Sequence, residues 1–179
     1  MVTQYHRGQD ELVPVSENGG LVQSAKGLKL HVDTDFKTCP QLDYLLVPGG
    51  QGTRTEVNND SVIQFLKTQS ALCKNILSVC TGSFLLHKAD LLKGKQATTH
   101  WASLDRLRAL NDITVAPERY LHEDNIWMSA GISAGMDMAL AFLADTAGEQ
   151  TAGDVQLQAE YYPDGTIYPN KAGYIPEYL

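Results

Sequence analysis

The sequence contains few cysteines: Cys39, Cys73 and Cys80 are the only ones in 179 residues. Their number is odd and none lies in a Cys-x-x-Cys pair, which argues against a disulfide framework and against a zinc site. We therefore expect free thiols in a reducing compartment, the cytoplasm, and neither a metal nor another cofactor.

Excess positive charge and long apolar runs are missing as well. Lys and Arg together number 14 against 21 for Asp and Glu, giving a formal net charge of -7. Nucleic-acid binding is disfavoured, because phosphate contacts need clustered Lys and Arg. No stretch approaches the roughly 18 apolar residues of a membrane span, and residues 1–10 are polar, so no membrane partner is expected.

The chain length predicts a single domain with one core. Residues 1–162 are interpreted as this domain, and residues 163–179, rich in proline and tyrosine, as an extended arm. The aromatic surface of the arm needs a cover, either its own domain or a second subunit. A homodimer is the expected assembly.

The most informative stretch is residues 75–86. Residues 76–79 are an apolar run short enough for a buried strand, and a helix-like pattern starts soon after Cys80. A thiol on such a turn lies near unpaired N–H groups and the positive end of the helix dipole, which favour the thiolate. Cys80 is therefore a candidate nucleophile, and Gly82 lets the turn pack closely. The alternative is that Cys80 is a small buried hydrophobe.

Strands that alternate with helices predict an α/β sandwich around a mostly parallel sheet. Residues 43–47 form a predicted strand that ends near the pair Gly49-Gly50, and residues 96–99 form one that ends at His100 and Trp101. Ligands bind at the carboxyl ends of such strands, so the glycines, the cysteine and the histidine are expected along one edge. His100 is otherwise an ordinary half-buried histidine, and Trp101 is otherwise core or pocket wall.

The last third of the domain predicts two helices. Residues 131–135 are small and predict a loop, followed by a helix with Met136 inward that ends at Gly148. Residues 149–161 predict a final amphipathic helix. Asp137 is interpreted as a surface or capping carboxylate.

Three of these stretches together resemble the ThiJ/PfpI superfamily, namely Asp43-Tyr44-Leu45-Leu46-Val47-Pro48-Gly49-Gly50, Val79-Cys80-Thr81-Gly82-Ser83 and Ala97-Thr98-Thr99-His100-Trp101. The third stretch, with residues 156–161, is most similar to the isocyanide hydratase (isonitrile hydratase) branch. The resemblance covers about residues 1–163. It implies the class I glutamine amidotransferase-like, flavodoxin-like three-layer fold and a dimer.

For the site, the resemblance implies that Cys80 is the nucleophile on a strained elbow. The backbone amides after Pro48-Gly49, with that of Thr81, would stabilise an anion, and Thr81 would contact the substrate or the catalytic water. His100 would be a supporting residue rather than a base. Gly49, Gly50, Gly82 and Trp101 are the expected lining of the substrate pocket.

Superfamily members normally begin with a strand and a helix that carry an Asp or Glu hydrogen-bonded to the cysteine. Met1 aligns with the second strand of that pattern. The first strand-helix unit is therefore expected to be missing, and no acidic residue of this sequence is assigned to the role.

Three functions follow as hypotheses. The first is a small-molecule enzyme that converts an isonitrile to an N-substituted formamide through Cys80. The second is a non-catalytic metabolite-sensing domain, because the same motifs resemble the N-terminal domains of AraC-type regulators. The third is a redox or carbonyl-stress protein, because an exposed thiolate oxidises readily.

Overall fold

The computed structural model describes residues 11–163. Its strands are β1 (Val15–Ser16), β2 (Gly20–Gln23), β3 (Lys29–Val32), β4 (Thr34–Asp35), β5 (Tyr44–Val47), β6 (Asn75–Val79), β7 (Gln96–Ala97), β8 (Thr114–Val115), β9 (Tyr120–Glu123) and β10 (Ile126–Ser129). Its helices are α1 (Thr53–Glu56), α2 (Asp60–Ser70), α3 (Gly82–Lys88), α4 (Leu104–Arg108), α5 (Ile132–Ala147) and α6 (Glu149–Gln158), and a 3-10 turn covers Trp101–Ser103.

A four-stranded sheet with the order β5-β6-β10-β9 forms the centre of the molecule. Strands β5, β6 and β10 are parallel, and β9 pairs antiparallel with β10. The two middle strands are apolar along most of their length because helices cover both faces. In this register Val47 lies opposite Ser78, and Ser129 opposite Val79, so the three parallel strands end side by side.

Helices lie on both sides of the sheet. On one side α2 and α3 bury Leu66 and Leu86 against Ile76 and Met128. On the other side Met138 of α5 packs against the sheet, while α6 packs on α5 through Val155. The predicted α/β, flavodoxin-like three-layer fold is therefore confirmed.

Among the residues that the structure describes, those before β5 are the least buried. Strands β2 and β3 form an antiparallel hairpin in which every residue except Val32 is exposed. Leu21, Leu28 and Leu30 are exposed by 66%, 62% and 55%, a large apolar surface for so short a hairpin. Within residues 11–163, no helix combines the length and the apolar character that a membrane span needs.

The sequence interpretation of α5 is wrong in two details. Helix α5 begins at Ile132 and not after residue 135, and Met136 is 45% exposed instead of inward. The small residues of this segment serve close packing: a Cβ at Gly135 would lie 3.2 Å from the Val79 side chain. The predicted arm, residues 163–179, lies outside the described residues except for Pro163.

Candidate active site

The backbone bends sharply between β6 and α3, and Cys80 lies at the bend. Its φ of 58° is in the left-handed region, which a cysteine adopts only when the surroundings hold it there. The Cys80 amide donates to the Ser129 carbonyl at 3.0 Å. The Cys80 carbonyl accepts from Thr99 Oγ1 at 2.9 Å and from Ser83 Oγ at 3.2 Å. Both polar groups of the strained peptide are thus satisfied.

Two glycines make room for the bend. A Cβ at Gly49 would lie 2.7 Å from Cys80 Cβ and 2.7 Å from the Thr81 nitrogen, closer than real side chains approach. A Cβ at Gly82 would collide with the Val47 carbonyl oxygen. The end of β5 therefore touches the elbow directly, which only residues without a side chain allow.

Thr81 connects the elbow to the loop after β5. Its Oγ1 accepts the Gly50 amide at 3.0 Å and lies 2.9 Å from Thr53 Oγ1 and 3.2 Å from the Gly50 carbonyl oxygen. The Gly50 amide is engaged in this contact. The predicted contribution of this amide and of the Thr81 amide to anion stabilisation stays a prediction.

His100 and Trp101 follow β7, which pairs with β8 outside the central sheet, and His100 lies beside the segment that follows β10. The His100 ring faces Gly131, the second residue after β10, and a Cβ there would lie 3.3 Å from His100 Cδ2. His100 Nδ1 accepts the Ala102 amide at 3.2 Å, so in the neutral ring the proton lies on Nε2. Trp101 is 40% exposed, with its ring 5.5 Å from that of His100.

The other two thiols lie in a different environment. Burial, together with the charge of Asp43, raises the pKa of Cys73 to about 11, and burial raises the pKa of Cys39. Their sulfur atoms donate to the carbonyls of Leu42 and Pro40. Cys80 is half-buried, and in the part of the chain that the structure describes no side chain hydrogen-bonds its sulfur.

A second polar cluster lies between β9, α5 and the end of α6. Asp137 forms an ion pair with Arg119 and accepts the Tyr161 hydroxyl at 2.9 Å. Tyr161 also lies 3.3 Å from the Ser133 carbonyl. Asp137 is therefore a partly buried ion-pair residue and not the surface or capping carboxylate expected. Its partners are 18 and 24 residues away in the chain, so no local pattern indicates them.

The structure thus brings together Gly49, Gly50, Cys80, Thr81 and Gly82 in one set of contacts, with His100 beside Gly131 on the neighbouring strand end. Among residues 11–163 there is no cluster of His, Cys, Asp and Glu that could hold a metal ion. Sequence reasoning missed Thr53 and the supporting roles of Thr99 and Ser83. Thr99 stands inside a recognised motif, but hydroxyl partners depend on tertiary contacts that sequence spacing does not reveal.

The fold and the elbow define a class of α/β protein that presents a cysteine at the carboxyl edge of a parallel sheet. The family model for the DJ-1/PfpI family matches residues 3–145. The chain belongs to this family, the superfamily indicated by its motifs.

Individual relatives refine this placement. The chain is 41% identical over 160 residues to isonitrile hydratase of Pseudomonas putida, an alignment covering 89% of this chain and 67% of that protein. It is 29% identical over 137 residues to the HTH-type transcriptional regulator GbdR of Pseudomonas aeruginosa, covering 76% of this chain and 37% of the regulator. A crystal structure of a ThiJ/PfpI family protein from Pseudomonas syringae superposes with a TM-score of 0.85 at 31% identity, covering 95% of this chain and 70% of that one.

Proposed function

We propose that this protein is a cysteine-dependent hydratase of small isonitriles, with Cys80 as nucleophile and Thr81 and His100 beside it. The observation that carries the proposal is the half-buried Cys80 held at a positive φ on the elbow. Strained residues held by their surroundings are concentrated at functional sites. The similarity to isonitrile hydratase supports the choice of substrate class.

The reaction uses the Cys80 thiolate, water and the isonitrile, and it requires a carboxylic acid near the thiol, a role to which no residue of this sequence is assigned. The Cys80 sulfur adds to the terminal carbon of the isonitrile, forming a C–S bond, and that carbon takes a proton from water to give a thioimidate. A water molecule then adds to the same carbon while the nitrogen gains a proton, which gives a tetrahedral adduct. Its C–S bond breaks, the thiolate leaves with the electron pair, and the hydroxyl proton neutralises the hydroxide left by the first step. The product is the N-substituted formamide, and the net reaction is addition of one water.

The test is formamide production from cyclohexyl isonitrile, followed by NMR. Cys80→Ala is expected to lower the rate more than about a thousandfold, because the covalent route is lost. Cys73→Ala, which removes a buried thiol outside the site, is the matched control and is expected to keep the wild-type rate. Equal activity of Cys80→Ala and wild type would contradict the proposal.

A second candidate, favoured by the similarity to the regulator, is a metabolite-sensing domain without turnover. This function predicts that a ligand raises the melting temperature of wild type and of Cys80→Ala equally. Such stabilisation without formamide production would replace the hydratase proposal.

We also propose an assembly and a cellular location. We propose a homodimer, because Val22 and Leu30 lie on one face of the β2–β3 hairpin and are both exposed. We propose the cytoplasm as location, because a thiol nucleophile needs a reducing compartment. Residues 163–179 remain in this proposal an arm that follows the domain formed by residues 1–162.

A further inference from the structure

Thr53 is a buried threonine in the loop region that faces the elbow. It is the first residue of α1 and only 6% exposed. Its Oγ1 lies 2.8 Å from the Gly50 carbonyl oxygen and 2.9 Å from Thr81 Oγ1. The only side-chain polar atom of Thr53 is thus directed at the residue next to the candidate nucleophile.

The hydroxyl proton of Thr53 can serve only one of these two oxygens at a time, because a hydroxyl has a single O–H. The Gly50 carbonyl does not depend on it, since the Thr53 amide also donates there at 3.2 Å. Thr81 Oγ1 already accepts the Gly50 amide. The position of the Thr53 proton therefore decides whether Thr81 Oγ1 keeps a free lone pair or accepts a second hydrogen bond.

Two arrangements are consistent with these distances. In the first, Thr53 donates to the Gly50 carbonyl and accepts from Thr81, so Thr81 keeps a free lone pair. In the second, Thr53 donates to Thr81, which then accepts two bonds, and the Thr81 proton has the Gly50 carbonyl within reach at 3.2 Å. Rotation of the Thr53 hydroxyl thus exchanges a free lone pair on Thr81 for a Thr81 proton that only the 3.2 Å contact with the Gly50 carbonyl holds.

We infer that Thr53 is a positioning residue that sets the donor or acceptor state of Thr81 during the reaction. This inference rests on the proposed function. As acceptor, Thr81 orients the attacking water, and as donor it stabilises the nitrogen of the thioimidate. Hydration of a thioimidate needs both contacts in succession, and a valine at position 53 would leave Thr81 without the switch.

The experiment compares Thr53→Val, which removes only the hydroxyl, with Thr53→Ser, which restores it. Thr55→Val is the matched control, because Thr55 is exposed on the same helix. With cyclohexyl isonitrile, Thr53→Val is expected to lower kcat about tenfold with little change in KM, and Thr53→Ser to recover within about twofold. In the Thr81→Val background, Thr53→Val is expected to have no further effect.

A readout independent of turnover is amide hydrogen exchange at Gly50, followed by NMR. Exchange is expected to accelerate in Thr53→Val, because Thr81 loses the partner that holds its rotamer, and to stay unchanged in Thr53→Ser and Thr55→Val. If wild type makes no formamide but Gly50 exchange changes as expected, the proposed function is wrong. The hydrogen bond between Thr53 and Thr81 is then still supported. Wild-type kcat and Gly50 exchange in Thr53→Val, or additive effects with Thr81→Val, would overturn the inference.

Discussion

At the scale of single residues, the strained Cys80 peptide is held by hydroxyl groups. Thr99 is fully buried and donates to the Cys80 carbonyl. Thr99→Val is expected to lower the free energy of unfolding by about 1–2 kcal/mol, because a buried carbonyl loses a donor. It is also expected to slow alkylation of Cys80 by iodoacetamide, because the elbow relaxes.

Thr98→Val is the matched control for this prediction. Thr98 is equally buried and donates to the Glu118 carbonyl, away from the elbow. We expect a similar loss of stability, measured by urea unfolding, and normal alkylation of Cys80. If both variants slowed alkylation to the same extent, the effect would be general and not specific to the elbow.

The three thiols are expected to differ strongly in reactivity. Burial and the charge of Asp43 raise the pKa of Cys73 to about 11, so at pH 8 roughly one molecule in a thousand carries its thiolate. Brief treatment with iodoacetamide or mild peroxide, followed by mass spectrometry, is expected to modify Cys80 first. Equal modification of Cys39, Cys73 and Cys80 would count against a special thiol and against the redox hypothesis.

Residue-level features differ in how far the sequence reveals them. Cys80 and Gly82 could be identified from a strand followed by a helix, because the turn between them is local. Thr53 could not, because its importance depends on Gly50 and Thr81, and Thr81 is 28 residues away along the chain. Local patterns identify turns, whereas hydroxyl networks depend on tertiary packing.

At the scale of elements, the Tyr161 hydroxyl, just after α6, donates a hydrogen bond to Asp137 of α5. Burial and the neighbouring Asp137 raise the pKa of Tyr161, despite the opposing effect of Arg119. A raised pKa in the folded state means that this contribution to stability is complete below the unfolded pKa of about 10 and declines as the pH rises above it.

Tyr161→Phe is therefore expected to lose about 1 kcal/mol at pH 8, and the difference from wild type is expected to shrink at alkaline pH. Thermal unfolding at several pH values between about 8 and 11 measures this. Tyr162→Phe is the control, because Tyr162 is 59% exposed. A difference that grew with pH would refute the assigned pKa direction.

The elements themselves were predicted well where hydrophobic periodicity is strong. Strands β5 and β6 are apolar runs with clear ends, and the structure has them near the predicted positions. The start of α5 was missed because Gly, Ser and Ala usually indicate a loop. Here close packing of Gly135 on Val79 requires small residues within a helix.

At the scale of the whole molecule, the proposed homodimer has the β2–β3 hairpin at its interface. A two-stranded hairpin is marginally stable by itself, and Val22 and Leu30 face the same side and are both exposed. Leu30→Glu is expected to shift a dimer to monomer in size-exclusion chromatography with light scattering. Gln23→Glu, on the opposite face with the same added charge, is expected to leave the dimer intact. A monomeric wild type would contradict the proposal.

The overall architecture was predictable because the alternation of strands and helices restricts the topology. The arrangement of the strands before β5 was not predictable, because short strands such as β1 and β4 carry little hydrophobic periodicity. Their pairing, Val15 with Thr34, is set by contacts outside the central sheet.

The two tryptophans occupy contrasting surroundings, which makes the protein its own optical reporter. Trp101 is 40% exposed beside His100, whereas Trp127 is 5% exposed and stacks on His122 at 3.9 Å. Emission from Trp101 should respond to molecules that arrive at the sheet edge, and emission from Trp127 to loosening of the interior. Trp101→Phe and Trp127→Phe separate the two signals. The emission of the remaining tryptophan then distinguishes ligand binding from unfolding without any added dye.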